Sequence, residues 1–267
     1  MIYFKVANTL PLFGHEPMVL AALAERYPDL VPAPIAIEPA QRWMLMHDFG
    51  SDLRSTAVPE RWETAIQRFG QLQVRTVDHV DALLAVGCLD RRLPILSNQI
   101  DPLLADEAVL ASITPAEAEA LRAIGPRLKM MCLELSQFSV PSGLNHGDLH
   151  SGNITGQTLL FYDWTDACIA HPFLDLVTLM YDANRFVPDT WESMLTIYLN
   201  LWTGYESTKQ LRTMWQLAEP LGALHQAVSY QHILASQEPT SRQELSMGLP
   251  IWIRHLLVST KRNFPSD

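Results

Sequence analysis

The sequence has few cysteines and no long apolar run. Its three cysteines, Cys88, Cys132 and Cys168, lie far apart among 267 residues, so they form neither a metal-type pair nor a disulfide framework. No uninterrupted stretch of about 18 apolar residues is present, which argues against a membrane span. The N-terminus lacks a basic segment followed by an apolar one, which argues against a secretory leader. We therefore expect a cytoplasmic protein with reduced thiols and no membrane partner.

Basic residues and closely spaced glycines are also scarce. Lysine and arginine number 19 against 29 acidic residues, a formal charge of −10 that argues against nucleic acid as a partner. The acidity belongs to the front of the chain, with 21 acids against 12 bases through Asp175 and 8 against 7 from Leu176 onward. No two of the 12 glycines are separated by a single residue, so a Gly-x-Gly-x-x-Gly phosphate loop is excluded. Apolar residues make up 48%, enough for the core of one bilobal unit or two small domains.

One polar segment carries a spacing that is typical of phosphoryl transfer. Residues 146–153 read His-x-Asp-Leu-x-x-x-Asn, and an apolar run of strand character at residues 159–162 then ends in a second acid. Asp148 in this spacing can orient and deprotonate an acceptor hydroxyl. Asn153 and Asp163 offer the oxygen ligands that Mg²⁺ prefers. The pattern therefore predicts a kinase-type active site.

At these residues the sequence resembles the aminoglycoside phosphotransferase and choline kinase family, the small-molecule relatives of protein kinases. The family's loop reads His-Gly-Asp-Leu-His-x-x-Asn, as residues 146–153 do here. Its metal-binding Asp is followed by Trp or Phe, matched by Asp163 and Trp164, and a Pro-x-x-Asp-Leu segment follows, matched by residues 172–176. Three motifs in the right order make the resemblance specific.

The resemblance implies a fold and an activity. The fold is a protein-kinase-like, two-lobed α/β (α+β) fold with a small β-rich N-lobe, residues 1–50 ending in a hinge, and a larger helical C-lobe, residues 51–267. The activity is transfer of the γ-phosphate of ATP or GTP to a hydroxyl of a small molecule, with Mg²⁺ as the metal. Asp148 would be the base, and Asn153 and Asp163 would hold the metal. The acceptor cannot be read from the sequence.

The resemblance also assigns residues near the N-terminus to the nucleotide. Lys5, in the strand-like run Ile2–Val6, would hold the α- and β-phosphates. Glu16, at the start of the next helix, is its natural partner, although an acid favoured by the helix dipole would look the same. The backbone of Met46, His47 and Asp48 would meet the adenine edge at the hinge.

The front of the chain departs from the family pattern. Only four residues precede Lys5, whereas the family places a phosphate-covering turn upstream of its lysine strand. The N-lobe is thus expected to be truncated, with Ile2–Val6 as an unpaired edge. We expect that the natural protein starts upstream, or that a second copy of the chain or another segment covers this edge, and that turnover without a lid is weak. The alternative function is a degenerate kinase-fold protein that binds nucleotide or a partner without catalysis.

Other polar residues near the motif are assigned supporting roles. His146 is expected to pack and hydrogen-bond beneath the loop, and Asp175 to brace the loop from a helix. A zinc site formed by His146 and His150 would need a helix, and the glycines of the loop argue against one. Asp166 either adds charge near the metal or is simply solvated, and the sequence leaves both open.

Helices dominate the rest of the chain. Strands are predicted at residues 33–38 and 42–46, a capped helix at residues 115–138, a mixed segment at residues 93–113, and a last helix at residues 241–263. The aromatic residues beyond Leu176 are expected to line the acceptor pocket. Together with the near-neutral charge there, they predict an acceptor that is not polycationic. The rings in question are Trp191, Tyr205, Trp215 and Tyr230.

Overall fold

The N-terminal strands form an antiparallel sheet with one helix beside it. The structure, a computed structural model, describes residues 1–236 and 246–265. Its N-terminal elements are β1 (Ile2–Val6), α1 (Glu16–Arg26), β2 (Ala36–Glu38) and β3 (Trp43–His47). The sheet has the order β1-β3-β2, with both pairings antiparallel. The strand β2 begins later than predicted, because Pro34 has no N–H to donate to a ladder.

One face of this sheet is buried and the other is open. Within β3, Met44 and Met46 are buried, whereas Trp43 and Leu45 are exposed, as the two-residue period of a strand requires. β1 lies at an edge of the sheet, and its Phe4 is 58% exposed. The rings of Phe4 and Trp43 meet edge to face with their centroids 5.7 Å apart. This end of the molecule therefore presents an apolar surface.

Beyond residue 50 the described chain is mainly helical. The helices are α2 (Pro59–Thr76), α3 (Val80–Ala85), α4 (Leu93–Ala105), α5 (Glu107–Ala111), α6 (Pro115–Leu135), α7 (Leu176–Phe186), α8 (Trp191–Asn200), α9 (Thr208–Ser236) and α10 (Gly248–Asn263). Three short strands lie among them: β4 (Leu89–Asp90), β5 (Gly143–Asn145) and β6 (Cys168–Ala170). The predicted mixed fold, with a small β-rich front and a larger helical part, is confirmed. Among the helices described, none combines the length and apolar character needed to cross a membrane.

Capping explains where α6 begins. The Thr114 hydroxyl accepts the Glu117 N–H at 3.3 Å, and the Glu117 carboxylate accepts the Thr114 N–H at 2.8 Å, which completes the expected capping box. The segment expected to be mixed, residues 93–113, holds the two helices α4 and α5. The last helix covers Gly248–Asn263, and residues 241–245 of its predicted range lie outside the described residues.

A second sheet, of order β4-β6-β5, places the polar motif. β5 pairs antiparallel with β6, with Leu144 opposite Ile169, and β4 runs parallel to β6. Every residue of β5 and β6 is buried. The motif follows directly on β5, so its first residues are anchored to the core. A short 3-10 turn, Pro172–Asp175, links β6 to α7 and brings Asp175 beneath the motif.

The predicted strand character of residues 159–162 is wrong. Only a single bridge, between Ile154 and Phe161, forms there. The Phe161 N–H donates instead to the Leu30 carbonyl at 2.8 Å, and the Thr155 N–H donates to the Leu160 carbonyl at 2.9 Å. Leu159 has a φ of 55°, which turns the chain out of any ladder. The apolar side chains are buried as a strand's would be, but the backbone follows a folded loop.

Candidate active site

The segment of residues 146–153 is held from beneath by one buried carboxylate. Asp175 is 2% exposed, and its two oxygens accept the backbone N–H groups of His146 and Gly147, the latter at 2.9 Å. Burial raises the pKa of Asp175 to about 7, although the two N–H donors lower it. The carboxylate does not line the cavities beside Asp148. Asp175 thus contacts the loop from the position that the sequence assigns to a brace.

His146 lies under the same loop and is neutral. Its Nε2 donates to the Tyr162 carbonyl at 2.8 Å, and its ring packs against Trp164 with centroids 4.6 Å apart. Burial lowers the pKa of His146 to about 4. Because Nε2 is used in this way and the ring is buried, His146 is suited to support the loop and not to bind a metal.

Gly147 gives the loop its close contact with residues 159–167. It has a φ of 85°, and a Cβ there would lie 2.2 Å from the Asp166 carbonyl oxygen. Only glycine fits this position. The Gly147 carbonyl accepts a hydrogen bond from Gln226 of α9. Local backbone conformation and a distant helix therefore set the path of the chain just before Asp148.

Asp148 lies between two cavities. Its carbonyl accepts hydrogen bonds from the Asn153 side chain and the His150 N–H, both at 2.9 Å, which fixes its backbone. Its carboxylate faces a cavity of about 240 Å³ on one side and one of about 200 Å³ on the other. Although 38% of the side chain is exposed to these cavities, loss of bulk water raises the pKa of Asp148, and the Asp163 charge raises it further.

The first cavity brings Asp148, Asn153, Asp163 and Asp166 together. Asp163 has a φ of 63°, an unusual conformation for a residue other than glycine that turns its carboxylate toward the cavity. Burial and the neighbouring Asp148 raise the pKa of Asp166 well above its usual range, while Arg91 lowers it. Asp166 therefore faces the site, and the simply solvated alternative does not apply.

Lys5 joins the N-terminal sheet to this cavity. Its Nζ lies 2.6 Å from Asp163 Oδ1 and 2.8 Å from Glu16 Oε1, and it also donates to the Thr165 hydroxyl at 3.2 Å. Burial lowers the pKa of Lys5, but the carboxylates of Asp163 and Glu16 outweigh it and raise the pKa. For Asp163, burial raises the pKa, but Lys5 and Thr165 outweigh burial and hold the pKa below its usual value.

A further cavity of about 420 Å³ lies between Lys5 and the end of β3. Met46, His47 and Asp48 line it together with Lys5, Glu16 and Asp163, so the residues assigned to the nucleotide share one space. The Asp48 N–H donates to the Met1 carbonyl at 3.0 Å and is used within the sheet. The rings of Phe49 and Tyr162 lie beside the cavity with centroids 5.5 Å apart.

The oxygen atoms available at the first cavity fit Mg²⁺. The Nδ2 of Asn153 donates to the Asp148 carbonyl, which leaves Oδ1 free to bind, and Asp163 adds an anionic oxygen. Two protein oxygens are enough for Mg²⁺, which keeps water and phosphate oxygens as its other ligands. The described residues contain no group of three or more His, Cys, Asp or Glu side chains arranged as a metal cage. The site therefore suits a metal that arrives with a phosphate.

The second cavity lies on the other side of Asp148. It is formed by the turn after β3, the loop, and the helices α7, α9 and α10, and its lining includes Arg54, His150, Tyr181, Arg185, Tyr230 and Trp252. Asp182 also faces it and accepts hydrogen bonds from the N–H and hydroxyl of Ser151, the former at 2.9 Å. This cavity combines aromatic rings with two guanidinium groups and the two carboxylates of Asp148 and Asp182.

The rings expected around the acceptor are mostly elsewhere. Of the four, Tyr230 lines the cavities beside Asp148. Trp191 and Trp215 line a separate cavity of about 600 Å³ between α7, α8, α9 and α10, and Tyr205 packs against Trp202. These three rings therefore do not line the cavities beside Asp148, since helical periodicity marks a buried face without showing which cavity it meets.

Several residues of the site have no signal in the sequence. Gln226 lies in α9, far from the motif along the chain, and Arg54 lies in a short turn after β3. Thr165 is the exception. Its position two residues after Asp163, with a hydroxyl 2.7 Å from the Asp163 carboxylate, could have been inferred from the motif.

Comparison with known proteins gives one family and a set of similar folds. The sequence profile of the phosphotransferase enzyme family matches residues 19–211. A choline/ethanolamine kinase family protein from Mesorhizobium loti is 15% identical, with a TM-score of 0.59, over 98% of this chain and 87% of the other. An ethanolamine kinase from Plasmodium vivax is 12% identical, with a TM-score of 0.59, over 97% and 82%.

An aminoglycoside 2′-phosphotransferase solved with GDP is similar to the same extent. It is 12% identical, with a TM-score of 0.58, over 93% of this chain and 82% of the other. No curated protein sequence matches significantly. At these identities the solved structures show a shared kinase-like fold.

Proposed function

The chain belongs to the phosphotransferase enzyme family, and on that basis we propose that it transfers the γ-phosphate of ATP or GTP to a hydroxyl group of a small molecule. The position of Asp148 carries this proposal. Its carboxylate lies between the cavity that holds Asn153 and Asp163 and a second cavity on the opposite side. A base placed there can face an acceptor hydroxyl on one side and the phosphate on the other.

Asp148 acts as the base in this proposal. It accepts the hydroxyl proton while the acceptor oxygen forms its bond to the γ-phosphorus, and the electron pair of the breaking bond leaves with the nucleoside diphosphate. The raised pKa of Asp148 makes it a stronger base than an exposed aspartate. No side-chain donor among the described residues lies within hydrogen-bond distance of its carboxylate, so the oxygens are available to the hydroxyl.

The other residues hold the nucleotide. Lys5, oriented by the buried Glu16, binds phosphate oxygens, and the cavity beside Met46 receives the purine ring of the nucleotide. Asn153 and Asp163 would hold Mg²⁺, which when bound neutralises phosphate charge. These roles need no movement of the loop, because its backbone is already fixed from beneath by Asp175.

The second cavity supports an acceptor that is not polycationic. Arg54 and Arg185 line it together with Asp148 and Asp182, so the cavity has no excess of carboxylates with which to neutralise several ammonium groups. The rings of Tyr181 and Trp252, with centroids 5.5 Å apart, suit an apolar body on the acceptor. The cavity volume of about 200 Å³ is small, which favours a compact molecule.

A screen of hydroxyl compounds tests both parts of the proposal. Neutral sugars and polyols, hydroxycarboxylates, amino alcohols with one charge, and polycationic aminoglycosides would each be incubated with ATP or GTP and Mg²⁺, with release of ADP or GDP measured. Asp148→Asn serves as the blank. We expect acceptor-dependent release from one of the first three classes. Efficient turnover of aminoglycosides would contradict the acceptor assignment. Nucleotide binding with no transfer to any class would contradict the activity and favour a binding protein.

A further inference from the structure

We propose that His150 and Arg54 form a positioning pair that orients the carboxylate of Asp148. The inference rests on the proposed function, in which Asp148 is the base. His150 lies two residues after Asp148, and its Nε2 is 3.6 Å from Asp148 Oδ2. Arg54 lies behind the imidazole, in the short turn Leu53–Ser55 that follows β3. Neither residue is needed to bind nucleotide or metal in the mechanism above.

The hydrogen bonds of His150 fix which of its nitrogens carries the proton. Nδ1 lies 3.0 Å from the Gly152 backbone nitrogen and 3.0 Å from Arg54 Nη2. A backbone N–H and a guanidinium can only donate, so Nδ1 must accept from both. The ring is therefore neutral with its proton on Nε2, the atom that faces Asp148. The opposite tautomer would direct a lone pair toward a carboxylate.

Arg54 is itself held in place. Its Nε is 3.4 Å from Asp52 Oδ2, and Asp52 also accepts the Ser55 N–H at 3.1 Å, which closes the turn. The Leu53 N–H donates to the Ile154 carbonyl at 2.8 Å, so the turn is joined to the chain just after the loop. The guanidinium is thus fixed relative to His150 by backbone contacts on both sides.

Gly152 leaves the space that this arrangement needs. A Cβ on residue 152 would lie 1.9 Å from Arg54 Nη2 and 2.8 Å from His150 Cε1. A side chain there would displace the guanidinium from the imidazole. The glycine, the imidazole and the guanidinium therefore form one packed unit within the loop.

The consequence for Asp148 is a preference between its two oxygens. His150 Nε2 faces Oδ2 from 3.6 Å, which is beyond hydrogen-bond distance, so Oδ2 has this donor nearby and Oδ1 is the oxygen that we assign to the acceptor hydroxyl. When an acceptor fills the second cavity and excludes water, this contact becomes stronger because the local dielectric falls. His150 does not touch the reacting atoms, so it is a positioning residue, and Arg54 acts through it.

The tautomer can be measured directly. Long-range ¹H–¹⁵N NMR spectra of the full chain distinguish Nε2–H from Nδ1–H imidazole, with His150→Gln used to assign the signals. We expect His150 to be the Nε2–H form, and Arg54→Met to give a mixture of forms. An Nδ1–H form in the wild type would overturn the proposal. This readout is independent of transfer, so a failure of the proposed function remains distinguishable.

Steady-state kinetics with any acceptor found in the screen test the role. Arg54→Met and His150→Phe should each lower kcat by about 10-fold or more, because a shift of about 1 Å in a reacting group can cost on the order of 10²-fold. The nucleotide Kd should not change. Because Arg54 acts through His150, the double variant should be no slower than His150→Phe alone. Additive losses would contradict the pair.

One conservative variant and one matched control separate positioning from other roles. Arg54→Gln keeps an N–H donor for Nδ1 without the charge, and should retain most of kcat. If Arg54 instead binds the acceptor as a cation, Arg54→Gln would raise KM with kcat unchanged, and the proposal would fail. Arg212→Met is the matched control, since Arg212 has similar exposure and pairs with Glu192 away from the site. Thermal unfolding of every variant identifies losses caused by misfolding.

Discussion

The two sides of the site are held in different ways. The loop that carries Asp148 is fixed by buried groups: Asp175 accepts two of its N–H groups, and Gln226 donates to one of its carbonyls. Lys5 lies on an edge strand whose Phe4 is 58% exposed, and it reaches the site through ion pairs with Glu16 and Asp163. The fold thus fixes Asp148, the proposed base, whereas charge places the lysine. Substitutions on the two sides should therefore have different effects.

The largest effect is expected at the base. Asp148→Asn should lower kcat by about 10²- to 10⁴-fold, the usual contribution of a general base. The amide keeps the shape of the side chain but cannot accept the hydroxyl proton. Rates of acceptor-dependent ADP release give the measurement, with Asp101→Asn, an exposed aspartate paired with Lys129, as the control. A variant with wild-type turnover would show that another group is the base.

A smaller effect, of another kind, is expected at the lysine. Lys5→Met should weaken nucleotide binding by about 10- to 100-fold, because hydrogen bonds to charged groups contribute about 1.5–3 kcal/mol. Turnover at saturating nucleotide should fall less than the affinity does. Lys129→Met removes an exposed lysine and serves as the control in the same titration. Equal affinity of Lys5→Met and wild type would remove Lys5 from the nucleotide site.

The brace gives a pH-dependent effect on stability. The pKa of Asp175 is about 7 in the folded protein because of burial, and near 3.9 in an unfolded chain. The folded state therefore binds more protons between about pH 4 and pH 7, so this group makes the free energy of unfolding fall as pH rises through that window, by at most about 1.4 kcal/mol per pH unit.

Buried histidines act in the opposite direction. Burial lowers the pKa of His146 to about 4 and that of His171 to about 3, so they make stability fall as pH drops below about 6.5. Urea unfolding of wild type and Asp175→Asn at several pH values isolates the Asp175 contribution, since both proteins share the histidines. A difference between them that does not vary from pH 5 to pH 7.5 would contradict the account.

The smallest effect is expected at Thr165. Its hydroxyl lies 2.7 Å from Asp163 and 3.0 Å from Glu16, so it links the two carboxylates that hold Lys5. Thr165→Val should weaken nucleotide binding by about 2- to 10-fold, the effect of one ordinary hydrogen bond of about 0.5–1.5 kcal/mol. Thr165→Ser keeps the hydroxyl and should restore the affinity. Failure of serine to do so would point to the methyl group instead.

The sequence groups the residues on the loop side of the candidate site because that side is local. Asp148, Asn153 and Asp163 follow one another at fixed spacing, and Glu16, one of the two ionic partners of Lys5, lies close to it in the chain. Gln226 comes from a helix distant along the chain, and no short-range pattern marks it. The prediction of a strand at residues 159–162 is wrong because the apolar residues satisfy the same burial pattern in a loop.

A nucleotide titration tests most directly the claim that the two sides have separate tasks. Calorimetric binding of ATP and of GTP with Mg²⁺ would be measured for wild type, Asp148→Asn and Asp163→Ala. We predict that Asp148→Asn binds nucleotide like the wild type. Asp163→Ala should bind nucleotide at least about 10²-fold more weakly, because this substitution removes the carboxylate that is proposed to bind Mg²⁺. Equal losses in both variants, or unchanged affinity of Asp163→Ala in the presence of Mg²⁺, would contradict the account.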